Sequence, residues 1–430
     1  QGFEPGDAAG GGFDEGRLLD GELTPTVRFR LSGDYHRGKI GEQLQQMSLT
    51  APYQFTRRTH DRFETENLVA RIEGTNEFGA PRWSLQTFAD RYQAETDGVH
   101  VSFDTLDVEF RSFFELGEAH AFVWGLGYRR RTDRTGSSFR AAWTPRSRDT
   151  DKYSFFVQDT VTLTEALFVM GGVKVEKNEY SGWEYQPSIR GTWSFADHQT
   201  VWAAVSRSVS TPSRTDENVT AVVTVIPPPP AAIPVTIQGD PRVGSEKIYS
   251  FEVGYRVQPQ EALTGEWTVF YNRHEDLLTN VMSGPTTIAL DNEGRADTFG
   301  TEVALTAQVR DGWRLRGAYG WLKMDIRGGD ETPERDSPEH SANLRSELDL
   351  TSDVELNTAV YYVDHLRTSD IGSYFRVDAG LSWRPREGIE LSVWGQNLTE
   401  SHHAESLDTF WIQRAIDVPR TVYAQLLVQF

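Results

Sequence analysis

Residues 374–398 read Tyr374-Phe375-Arg376-Val377-Asp378-Ala379-Gly380-Leu381-Ser382-Trp383-Arg384-Pro385-Arg386-Glu387-Gly388-Ile389-Glu390-Leu391-Ser392-Val393-Trp394-Gly395-Gln396-Asn397-Leu398. Phe375, Val377, Ala379, Leu381 and Trp383 share one parity, and Arg376, Asp378, Gly380, Ser382 and Arg384 the other. Period two marks a strand with one apolar and one polar face. The turn Pro385-Arg386-Glu387-Gly388 reverses the chain, and Ile389, Leu391 and Val393 then alternate with Glu390, Ser392 and Trp394. After a polar loop, Val422, Ala424, Leu426, Val428 and Phe430 alternate with Thr421, Tyr423, Gln425 and Gln429. A chain ending on an aromatic in the apolar register has the form of a bacterial outer-membrane barrel strand.

Composition agrees with that form without proving it. The 430 residues contain no run of 18 apolar residues, so no transmembrane helix is available. Hydrophobic residues make up only 38% and aromatics 12%, as expected where alternate residues face lipid and turns are many. A large soluble β-protein shares this composition. Lys and Arg number 43 against 63 Asp and Glu, a net charge of −20 that argues against nucleic-acid binding. The acidic excess suits an acidic lumen and outer loops, or simply a self-repelling soluble surface. Cysteine is absent, which excludes disulfides, thiolate metal sites and a cysteine nucleophile. No secretory leader opens the sequence, so any signal peptide is expected to be removed or to lie outside it.

Residues 1–24, rich in Gly, Asp and Glu, read as a loop or tail, and residues 25–430 as one barrel of roughly eighteen strands. Short turns fall at Gly117, Glu165, His198, Pro259, Gly312, Ser352 and Pro385. Long polar stretches fall at 37–63, 132–151, 209–245, 276–297, 326–337 and 399–418. The third holds Pro227 to Pro230, which cannot donate to a ladder and so predict a loop of polyproline character. Counting back from Phe430 puts all the short turns on one side and all the long stretches on the other. Transmembrane barrels sort connections in this way, with tight periplasmic turns and long outer loops. Lipid imposes the closed sheet, because an orphaned backbone N–H or C=O there costs several kcal/mol. Tyr153-Phe155, Trp321 and Tyr374-Phe375 are placed where aromatic girdles would meet the interface.

Phe375 to Leu381 resembles the penultimate hairpin of TonB-dependent outer-membrane receptors, and Leu391-Ser392-Val393-Trp394-Gly395-Gln396-Asn397-Leu398 resembles the family's late strand. Trp202-Ala203-Ala204-Val205-Ser206-Arg207 with Thr211-Pro212-Ser213 is similar to its mid-barrel strand, and Glu246 to Tyr255 to the strand that follows. The resemblance is carried by residues 200–430 and extends to the first 200 by pattern only. It departs at Glu400 and His403, where the family usually has Asp and an aromatic. It also implies a barrel of about four more strands and a plug domain that residues 1–24 cannot supply. What it implies is an outer-membrane protein of a Gram-negative bacterium that imports a siderophore, cobalamin or an oligosaccharide, coupled to TonB through a plug. The sequence leaves three ways to complete the barrel: a longer receptor, a partner chain supplying plug or strands, or a shortened, plugless barrel.

The sequence holds no phosphate loop, Gly-x-Ser-x-Gly elbow or His-Glu-x-x-His motif, so catalysis, a resident cofactor and a metal are not expected. His402 and His403 would point to opposite faces of a strand, which disfavours a shared metal. Arg129-Arg130-Arg131 suits bidentate contact with an acidic ligand or a lipopolysaccharide phosphate, although such a run is commonly a solvated loop base. Arg207 and Arg214, flanking the entrance of the longest loop, are the candidate substrate-binding residues. The leading expectation is an outer-membrane barrel that binds and imports a scarce nutrient, with lipid and a small-molecule or oligosaccharide ligand as partners. A plugless pore or structural barrel is the first alternative, and a soluble β-rich binding module the second.

Overall fold

The computed structural model describes residues 11–76, 80–96, 99–227, 231–408 and 414–428. Three features named above, residues 1–10, most of the proline run (228–230) and the terminal Gln429-Phe430, lie outside the described residues. Twenty-two strands share one sheet among the described residues. Three of these, Ala141–Trp143, Val219–Ile226 and Ile233–Gln238, belong to outer loops, and the other nineteen form a continuous antiparallel wall. A separate hairpin, His402–Asp408 with Arg414–Pro419, forms part of the last outer loop. The chain is therefore an all-β, transmembrane antiparallel barrel.

The wall obeys the parity of its sequence. Phe375 pairs with Tyr362, Val377 with Val360 and Leu381 with Leu356, so one apolar row crosses the seam between Val354–Val363 and Tyr374–Arg386. Apolar side chains on this outer parity stay exposed: Val253 at 54%, Leu126 at 52% and Val393 at 55%. A greasy surface this extensive is stable only against lipid. The inner parity is polar. Glu176 lies 3.5 Å from Lys152 and 3.2 Å from Lys174, Arg384 lies 2.9 Å from both Glu355 and Glu390, and Arg316 lies 3.2 Å from Glu347. The lumen wall thus carries a lattice of ion pairs, most of them between neighbouring strands, while acids stand at tight turns such as Glu118, Glu165, Asp197, Glu261, Asp311 and Asp353.

Four expectations are corrected. Gly11–Thr24 is not a tail but a wall strand paired with Val27–Met47. Leu19 and Gly21 stand opposite Leu31 and Phe29 and continue their outward row, whereas Arg17 and Glu15 break the alternation nearer the outer end, paired to each other at 2.9 Å. The stretches 37–63 and 276–297 are not loops. The first belongs to strands Val27–Met47 and Gln54–Thr75, paired as far as Met47 and Gln54, and the second to Leu263–Gly284 and Thr287–Arg310. About 9–11 residues cross a membrane, so these strands, of 21, 22, 22 and 24 residues, project well beyond it and have two wet faces. Residues 129–135 and 147–151 likewise continue strands, leaving a shorter loop between them. Finally, Tyr374 does not join an outer girdle: its ring turns inward against His403, with centroids 4.4 Å apart.

The two ends of the wall differ from its interior. Among the described residues, Gly11–Thr24 pairs only with Val27–Met47, and Thr421–Val428 pairs only with Ile389–Gln396.

Candidate functional site: the outer vestibule

The loop of residues 211–245 is built, not irregular. It contains the short helix Arg214–Asn218 and the strands Val219–Ile226 and Ile233–Gln238. The helix opens on a capping box, in which Ser213 Oγ accepts the Asp216 N–H at 3.3 Å and the Asp216 carboxylate accepts the Ser213 N–H at 2.7 Å. Val219, Thr220 and Ala221 then pair with Trp143, Ala142 and Ala141 of the neighbouring outer loop. On the far side, Thr236, Ile237 and Gln238 pair in parallel with Thr287, Ile288 and Ala289. The loop is thus a strap joining two outer hairpins that stand several strands apart.

Its near end is fixed by buried charge. Arg214, 8% exposed, forms an ion pair with Asp133, which is 3% exposed, and donates to the carbonyl of Pro145. Burial pushes the Arg214 guanidinium below its ordinary pKa. Arg148 reaches Glu217 at 2.5 Å and Asn218 Oδ1 at 3.1 Å. Ala141, Val219 and Ala221 form a small buried cluster beside Trp143. At the loop's other root, Asn292 clamps Gly244: its Oδ1 accepts the Gly244 N–H at 2.6 Å, and its Nδ2 donates to the carbonyls of Gly244 at 3.1 Å and Asp276 at 2.7 Å.

Beneath the strap's first residues, on the lumen side of the wall, lies a cavity of about 380 Å³ bordered by Phe103, Arg131, Lys152, Tyr180, Pro212 and Arg214. The arginine triplet is divided by strand alternation. Arg130 faces outward and lies 2.8 Å from Asp149 and 3.7 Å from Asp151. Arg129 and Arg131 face the lumen: Arg129 donates to Asp107 at 2.7 Å, while the Arg131 guanidinium lies 4.1 Å from the centre of the Phe103 ring. Arg148 lies over Tyr180 in the same manner at 4.6 Å.

The two arginines expected to contact substrate both have partners in the protein. Arg214 holds the strap as described. Arg207 lies over Tyr185 at 4.4 Å, donates to its carbonyl and approaches Glu184 at 3.8 Å. The structure brings only Arg214 to the cavity. No local pattern joins Phe103, Arg131 and Tyr180, which meet only through the folded sheet and the turn after Asn178.

A second polar centre anchors the last outer loop. Asn397, fully buried and at φ +52°, donates its backbone N–H to Asp378 at 2.9 Å and its side-chain amide to the carbonyl of Val418 at 2.9 Å. Asn is among the few residues that tolerate this left-handed conformation. Asp378 in turn accepts both Nε and Nη2 of Arg376, at 2.9 and 2.8 Å. The two adjacent histidines part here: His403 is buried, with Nε2 2.9 Å from Glu405, and His402 is exposed beside Ser401. Among the described residues no group of metal-ligating side chains is assembled.

Nearby, Asp364 accepts the backbone N–H and the ring Nδ1 of His365, at 2.9 and 3.1 Å, and the Ser373 hydroxyl at 3.0 Å. These bonds lower its pKa from 3.8 to about 2. A depressed carboxylate stabilises the fold above its unfolded pKa and loses that contribution as pH falls through the folded value. Loop 364–373 is therefore expected to keep its protease resistance at pH 5 and to lose it between about pH 4 and 2, and Asp364→Asn should remove the transition. An unchanged pH profile in that variant would show that another group controls it.

These features define a transmembrane barrel with a polar lumen and a strapped outer vestibule. Residues 3–398 match the family model described as TonB dependent receptor-like, beta-barrel, and the chain belongs to that family of outer-membrane transport receptors. A double mutant of the ferric enterobactin receptor of Pseudomonas aeruginosa superposes with a TM-score of 0.75 at 14% identity, over 97% of this chain and 69% of that one. The ferric-catecholate import receptor Fiu of E. coli K12 gives 0.75 at 13%, over 99% and 75%. The siderophore receptor PiuA of Acinetobacter baumannii gives 0.73 at 14%, again over 99% and 75%. At such identities the likeness establishes the fold alone. No curated protein sequence matches the chain.

Proposed function

We propose that this barrel captures a scarce nutrient at the surface of a Gram-negative bacterium and passes it through the outer membrane. The classes considered are siderophores, cobalamin and oligosaccharides. The observation that carries the reading is the cavity of about 380 Å³ on the lumen side, at the outer end, under a strap held by buried ion pairs. A wall needed only for structure has no use for such an elaborated mouth. In this reading Arg207 and Arg214 serve the ligand indirectly, by holding the rim and the strap in place. Energy coupling would run from TonB through a plug, on the same polypeptide or on a partner chain. The polar, ion-paired wall of the lumen is a surface against which such a plug can rest.

The test combines uptake with conductance. Cells carrying the protein should accumulate its nutrient only when TonB is present, and the intact protein should conduct weakly in planar bilayers. TonB-independent uptake with a large steady conductance would replace the receptor with an open pore.

A further inference from the structure

We propose that the vestibule takes a ligand bearing a planar anionic group, with Arg131 as its counter-charge; this rests on the receptor reading above. The argument is one of charge matching. The other cations around the cavity each have a carboxylate: Arg129 has Asp107 at 2.7 Å, Lys152 has Glu176 at 3.5 Å, Arg148 has Glu217 at 2.5 Å and Arg214 has Asp133. The bordering acids are engaged as well. Asp151 accepts the Tyr128 hydroxyl at 2.8 Å, and Glu179 accepts the Asp151 N–H at 3.4 Å. Arg131 alone has no ion pair among the described residues: the Asp90 carboxylate, in the same row two strands away, attracts it without closing to an ion pair. The Arg131 side chain is exposed to the cavity and lies against Phe103. Stacking on a ring fixes the plane of a guanidinium while leaving its N–H edge to donate. That edge matches the two coplanar oxygens of a carboxylate or a catecholate-type diolate. Tyr180, with Arg148 over its ring at 4.6 Å, adds a second aromatic surface to the same cavity. A neutral sugar or a neutral corrinoid has no group that uses this arrangement.

The experiment titrates the intact protein in nanodiscs with three probes, following tryptophan fluorescence: a ferric tris-catecholate complex, an uncharged ferric tris-hydroxamate and an uncharged maltooligosaccharide. The anionic complex should bind at least about tenfold more tightly than either neutral probe, and more weakly as salt rises. Arg131→Ala should lower that affinity by about 10- to 100-fold. Arg131→Lys, which keeps the charge and loses the fork, should fall between. Arg310→Ala, at a turn on the opposite end, should leave it unchanged. Equal affinity for neutral and anionic probes, or an Arg131→Ala variant that binds normally, overturns the anionic assignment while leaving the receptor standing. Failure of all three probes to bind the unsubstituted protein counts against the receptor reading itself.

Discussion

Replacing Asp133 by Ala should release the near end of the strap. The carboxylate is 3% exposed, and its partner Arg214 is 8% exposed, so the substitution strands a buried cation. Removing one member of a buried pair costs about 3–5 kcal/mol, mostly through the charge left behind. That cost falls on a local element. The wall is held by continuous ladders, whereas the strap depends on its knot, on a three-residue parallel ladder and on the Asn292 clamp. Amide exchange at residues 219–226 should therefore accelerate by two to three orders of magnitude, with no change in the wall strands. The double variant Asp133→Leu/Arg214→Met removes both charges at similar volume and should recover most of the protection. If Asp133→Ala alone leaves exchange at 219–226 unaltered, the knot does not hold the strap.

A charge on the outer parity should be as costly for the wall. Val253 stands near the middle of Glu246–Gln260 and is 54% exposed on the apolar face. Val253→Arg should destabilise the barrel by about 2–4 kcal/mol, the range for arginine facing the bilayer midplane. Its neighbour Glu252 faces the lumen, 3.9 Å from Arg190. Glu252→Gln removes only a loose, partly exposed pair and should cost less than about 1 kcal/mol. Urea-driven equilibrium unfolding from lipid vesicles measures both. Similar costs at the two sites would mean that the face of the wall assigned to lipid is wrong.

The contrast between these two residues also explains what was legible in the sequence. Where strands cross lipid, one face must be apolar, and the alternation of 374–398 reads directly into the register of Phe375 with Tyr362 and Leu381 with Leu356. Where the same strands rise above the membrane, both faces meet water and the alternation disappears. Residues 37–47, 54–63 and 276–297 thus look like loops although they are paired along almost their whole length. Gly11–Thr24 was missed because Glu15 and Arg17 interrupt its apolar parity, and only the register with Leu31 and Phe29 shows that Leu19 and Gly21 continue a row.

The vestibule was less legible for a different reason. Proximity to a long loop pointed to Arg214, but its partner Asp133 lies some eighty positions earlier in the sequence and no local pattern joins them. The triplet Arg129-Arg130-Arg131 was visible as a run of charge. Its division into two lumenal side chains and one outward side chain requires knowing that the strand continues through it.

Among the described residues the first and last wall strands each pair on one side only, and this has a consequence in chain polarity. Gly11–Thr24 runs toward the tight turn at Pro25-Thr26, and Thr421–Val428 runs toward the same rim as the turn at Glu387-Gly388. The two edge strands therefore point the same way. Joined directly, they would make the single parallel seam in an otherwise antiparallel wall, as an odd-numbered barrel of nineteen strands can. An antiparallel seam instead requires an odd number of strands between them, whatever polypeptide provides them.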